Sequence, residues 1–112
     1  MTIIEPRLAY AMFDIALVIG PNSAAVQAYP TGPVRIVVPF PAGGGVDTTG
    51  RLIGQRLADA LGKPFVIDNR PGANGMIGSE IVARSSKDGY TLMVNGANFV
   101  TTPSLYSKVT YD

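Results

Sequence analysis

Three short stretches hold residues suited to gripping an anion through the backbone. They are Phe40-Pro41-Ala42-Gly43-Gly44-Gly45-Val46-Asp47, Asn69-Arg70-Pro71-Gly72-Ala73-Asn74-Gly75 and Asn95-Gly96-Ala97-Asn98-Phe99-Val100-Thr101-Thr102. Glycine and alanine let a ligand approach the main chain closely. Two of the stretches run into helix starts, where free N–H groups favour negative charge without lysine or arginine. Each feature also has a structural reading. Gly43-Gly44-Gly45 fits a tight strand-to-helix turn as well as a ligand cradle. Asp47 suits the first turn of a helix, and Asn95 and Asn98 suit turns that bond their own backbone. Arg70 reads as a solvated charge, and Phe40 and Tyr90 as packing residues. The chain has no histidine and no cysteine, which excludes Ser-His-Asp catalysis, thiol chemistry, disulfides and ordinary zinc sites.

The elements that must carry these stretches follow from periodicity and punctuation. Val34-Arg35-Ile36-Val37-Val38 is short and β-branched, the pattern of a strand buried on both faces of a parallel sheet. Pro39-Phe40-Pro41 ends it. A helix is expected from Asp47 to Leu61, with Leu52, Ile53, Leu57, Ala60 and Leu61 on one apolar stripe. Gly62 and Pro64 stop it. Gly50 and Gly54, four apart, would let this helix lie close to the sheet. Phe65-Val66-Ile67 reads as a second strand and Asp68 to Asn74 as a loop. A helix from Met76 to Ser86 follows, with Ile77, Ile81 and Val82 inward. Tyr90 to Val94 reads as a third strand, Asn95 to Thr102 as a polar loop, and Pro103 to Tyr106 as the start of another helix. The order is β-α-β-α-β, an α/β class with right-handed crossovers. Ligands in such sheets bind outside the carboxyl ends of the strands, where all three stretches fall.

A chain of 112 residues has room for one domain, and 46% hydrophobic against 15% charged residues allows a packed core. Net charge is +1 with no Lys/Arg cluster, so no nucleic-acid footprint is present. Residues 1–28 read as a signal peptide: Arg7, an apolar run from Leu8 to Gly20, Pro21, then Val26-Gln27-Ala28, with cleavage expected before Tyr29. Glu5 and Asp14 are atypical of such a leader. The apolar run is too short for a membrane anchor, so no membrane insertion of the mature chain is expected. A dinucleotide-binding enzyme start is the main rival reading, since Asp68 lies at about the right distance from Gly45; position 48, however, is Thr where that fingerprint needs Gly. A non-functional gene remnant and a small interaction module are further alternatives.

Three motifs in order carry a family likeness: Tyr29-Pro30 with Pro33 to Asp47, Asn69 to Gly75 followed by Ile77-Gly78, and Asp88-Gly89-Tyr90-Thr91-Leu92. Together they resemble the tripartite tricarboxylate transporter substrate-binding proteins, the Bug-type receptors, across nearly all of residues 29–112. The resemblance implies a non-enzymatic periplasmic receptor of the type II periplasmic-binding-protein fold, with two α/β lobes and no cofactor. Its ligand would be a small carboxylate held in the cleft between the lobes and passed to the transporter membrane subunits. It places ligand contacts at Phe40, Pro41, Gly43, Gly44, Gly45 and Asp47, at Gly72, Ala73, Asn74 and Gly75, and at Asn95, Gly96, Ala97, Asn98 and Thr102. Residues 29–112 would then be part of the first lobe, with the second lobe missing and binding by this stretch alone weak or absent. Thr101-Thr102 stands before Pro103 where relatives often show Asn.

Overall fold

The computed structural model describes residues 28–111. The expected leader, Ala28 excepted, falls outside them. Three parallel strands form one sheet in the order β2-β1-β3. β1 is Val34–Val38, β2 is Phe65–Asn69 and β3 is Thr91–Met93. Three helices alternate with them: α1, Gly45–Leu61; α2, Met76–Ala83; and α3, Asn98–Leu105. The expected α/β class and strand order in sequence are therefore present. β1 takes the centre because, Arg35 apart, it is apolar and buried: Val34, Ile36, Val37 and Val38 are at most 1% exposed.

β2 runs two residues past Ile67, since Asp68 and Asn69 continue the ladder opposite Val37 and Val38. Backbone bonds from Arg70 N to Val38 O and from Val94 N to Val37 O extend both edges of β1 towards its carboxyl end. At the opposite end, Tyr29 and Tyr90 pack edge to face at 5.3 Å, and Thr31 N donates to Tyr90 Oη.

Helix faces depart from the expected stripes. α1 lays Asp47, Gly50 and Gly54 on the sheet and leaves Leu52, Ile53 and Leu61 largely exposed. The glycines explain this: a Cβ on Gly50 would stand 3.1 Å from Val38 Cγ2, and one on Gly54 3.3 Å from Ile36 Cδ1. The helix backbone rests on the strand side chains, and the larger residues are turned away. α2 likewise presents Gly78 and Ser79, while Ile77 points outward over Gly72. α2 also stops at Ala83, short of Ser86, where Ser85 Oγ donates to the Val82 carbonyl.

The stretch expected as a polar loop from Asn95 to Thr102 is half helix, because α3 starts at Asn98 and contains Pro103. Proline has no N–H to give the carbonyl four residues back, Phe99. Tyr111 Oη donates to that carbonyl at 3.0 Å, and its ring stacks on Phe99.

Candidate functional site

Because all strands are parallel, the three β-to-α connections emerge at one edge of the sheet, and each opens directly into a helix N-terminus. The residues at the three helix starts are Gly44, Gly75 and Ala97, and no side-chain cap bond is made at any of them. Helix starts usually place Ser, Thr, Asp or Asn there to satisfy the first N–H groups. No side chain occupies the first N–H groups of α1, whereas at α2 Met76 N–H already bonds Ala73 O, and at α3 Phe99 and Val100 N–H bond Gly96 O and Ala97 O.

The first loop is held from behind. Asp47, 2% exposed, accepts Gly43 N–H and Arg51 Nε–H on Oδ2 and Asn69 Nδ2–H on Oδ1, each at 2.9 Å. Those bonds, that from Arg51 foremost, hold its carboxyl down at a pKa of about 2. Asn69 Nδ2 also donates to Phe40 O, so the end of β2 is tied to the end of β1.

The second loop winds left-handed. Gly72, Ala73, Asn74 and Gly75 all have positive φ, at 130°, 49°, 54° and 87°. Such conformations are rare for residues other than glycine, and Ala73 holds one at a cost of about 1–2 kcal/mol. Asn98 Nδ2 donates to Asn74 O at 2.7 Å, joining this turn to the start of α3. In the third loop Asn95 Oδ1 accepts Gly96 N–H, and Asn95 Nδ2 reaches Ser79 Oγ at 3.3 Å. Ser79 Oγ in turn donates to Gly75 O.

The three loops therefore form one connected cluster. Pro41, Gly43, Gly44, Gly45, Gly72, Ala73, Asn74 and Ala97 are exposed on it, and Phe40, Asn95, Gly96 and Asn98 half-exposed. Asp47, Gly75 and Thr102 lie buried beneath, Thr102 with its Oγ1 donating to Asn98 O at 2.6 Å. Sequence reasoning did not select Asn69, Arg51 and Ser79 as site residues. The Asp47–Arg51 spacing of one helical turn was a readable signal for one of them; Asn69 and Ser79 act through tertiary contacts.

Charged side chains beside the cluster are already paired, Arg51 with Asp47 and Arg70 with Asp68. Asp68 also binds Arg35 Nε at 2.7 Å. The acid needed by the dinucleotide reading is thus engaged by two guanidiniums. A depression of about 370 Å³ lies beside this Arg35–Asp68–Arg70 group and another of about 330 Å³ beside Tyr29 and Tyr90; the three loops contribute only Arg70 to the first and nothing to the second. Among the described residues no acidic cluster suits a metal ion, and no helix is long and apolar enough to cross a membrane.

Known proteins share this arrangement. The profile of the tripartite tricarboxylate transporter family receptors matches residues 49–112. A UPF0065 protein from the tcbD-tcbE intergenic region of Pseudomonas sp. (strain P51) is 39% identical over 100 residues, covering 87% of this chain and 30% of that protein. The structure of the periplasmic binding protein BugD superposes with a TM-score of 0.72 at 43% identity, over 75% of this chain and 28% of BugD. MatC from Rhodopseudomonas palustris, solved with bound malate, superposes with a TM-score of 0.56 at 43% identity, over 58% of this chain and 22% of MatC. The chain spans less than a third of the length of these relatives. By the family match over more than half of its length and by sequence identity, the chain belongs to the tripartite tricarboxylate transporter receptor family.

Proposed function

We propose that this chain supplies the first-lobe half of the ligand cleft of a periplasmic receptor for a small carboxylate, which it delivers to the membrane subunits of a tripartite transporter. The observation that carries this reading is the convergence of three helix N-termini without side-chain caps at one sheet edge. A carboxylate is an acceptor-only anion, and main-chain N–H groups at helix starts complement it in both charge and hydrogen bonding. The chemistry asked of the site is capture and release alone. MatC, similar over more than half of this chain, holds malate, which makes a dicarboxylate of that size the first ligand to try. Export to the periplasm follows from the leader reading of residues 1–28 and from the periplasmic binding protein BugD.

An amide NMR titration of the whole chain with malate, and separately with citrate, tests this. Millimolar ligand should shift the amides of Gly44 to Val46, Gly72 to Gly75 and Gly96 to Asn98. Shifts confined to Arg35, Asp68 and Arg70 would overturn the reading.

A further inference from the structure

Asp47 poses a problem for an anion site. Its carboxylate lies within the first loop, yet a carboxylate and a carboxylate ligand are both acceptor-only and repel each other. The ligand's carboxylates therefore offer this charge no donor. The structure shows what it bonds instead: Gly43 N–H, Arg51 Nε–H and Asn69 Nδ2–H, all at 2.9 Å. At 2% exposure it has no face turned to solvent, and among the described residues no buried side-chain polar atom lacks a partner.

We propose that Asp47 and Asn69 are a positioning pair that never touches the ligand but holds the first loop in its binding shape. Asp47 pins Gly43, so that the chain enters α1 with Gly44 extended, at φ −79° and ψ 175°, and the first helical N–H groups directed outward. Asn69 fastens that loop to the end of β2 by bonding both Asp47 Oδ1 and Phe40 O. Two connections of the cluster are thereby set in register before any ligand arrives, which lowers the ordering cost of binding. Arg51, half-exposed at the rear, offsets the charge. The carboxylate's pKa of about 2 keeps the pair intact at all physiological pH values. The inference rests on the carboxylate reading above.

The test compares Asp47→Asn and Asn69→Ala in the whole chain, reading malate affinity and Gly43 amide exchange by NMR. Asp47→Asn removes a negative charge beside an anion, so electrostatics alone predicts tighter binding. A positioning role predicts the reverse: malate binding weaker by about tenfold, with faster exchange at Gly43. Asn69→Ala, which leaves the charge in place, should weaken binding similarly while the β1 amides stay dispersed. Equal or tighter binding by Asp47→Asn, or unchanged Gly43 exchange, would overturn the proposal. Should Asp47→Asn fail to fold, Asn69→Ala decides alone, undiminished affinity counting against the pair. If the unaltered chain binds no malate, Gly43 exchange decides alone, and exchange unchanged in both variants overturns the pair.

Discussion

At the scale of single residues, two acidic side chains, Asp47 and Asp68, serve the shape of the chain. Asp47 is held ionised by Arg51, Asn69 and Gly43 N–H. For Asp68 burial opposes ionisation, but hydrogen bonds from Arg70 and Arg35 outweigh it and the pKa is again lowered. Both folded-state values lie below the ordinary 3.8, so the unfolded chain takes up protons first as pH falls. The stability they contribute is fully present above about pH 4 and is lost as pH drops towards about 2. Urea midpoints followed by circular dichroism should accordingly stay level from neutral pH to about 5 and fall below about 4, and Asp47→Asn should flatten that fall. A midpoint unchanged down to pH 2 would show that neither carboxylate is linked to folding.

At the scale of elements, α1 and α2 meet the sheet through glycine, and this is what places their N-termini. Gly78 is the tightest case: a Cβ there would lie 2.6 Å from Pro39 Cβ and 2.9 Å from both Pro39 Cα and the Arg70 carbonyl. Two of those three atoms are main chain and cannot rotate aside. Gly78→Ala should therefore cost about 1–2 kcal/mol, overpacking of about 1–3 kcal/mol being only partly offset by a helix-propensity gain of up to about 1 kcal/mol. Gly50→Ala, which meets first a Val38 methyl at 3.1 Å, should cost less. Urea denaturation of both variants orders them, and a larger loss at Gly50 would contradict this packing. The same contact explains why the apolar stripe of α1 was misplaced from sequence. Hydrophobic spacing says which face is oily, whereas the sheet selected the face that could come closest.

At the scale of the whole molecule, the turned-away residues leave an oily exterior. Leu52 is 57% exposed, Val100 77% and Leu105 74%, and Ile53, Leu61, Val66 and Ile77 are also exposed. Among the described residues, β2 and β3 each have an unpaired edge in the three-stranded sheet. Such surfaces promote self-association. Replacing both Leu52 and Leu61 by Glu should lower the average mass seen by light scattering at high concentration. Stability should change by no more than about 0.5 kcal/mol per site, since neither side chain is in the core. Unchanged association would move the sticky surface elsewhere, to the β edges or α3.

The sequence by itself determined the α/β class, the buried strand Val34 to Val38, the three loops at the carboxyl ends of the strands and the family. These are local matters: β-branched runs, glycine and proline punctuation, and motifs that survive without knowledge of contacts. It also showed that Gly50 and Gly54 suit close packing. Only the tertiary structure decided that β1 lies between β2 and β3, that α3 begins at Asn98, and that Asn69 and Asn98 stitch the loops together. An asparagine's partner, and the face a helix turns to a sheet, depend on which atoms stand opposite across gaps of a few tenths of an ångström. Periodicity along one chain carries no record of those gaps.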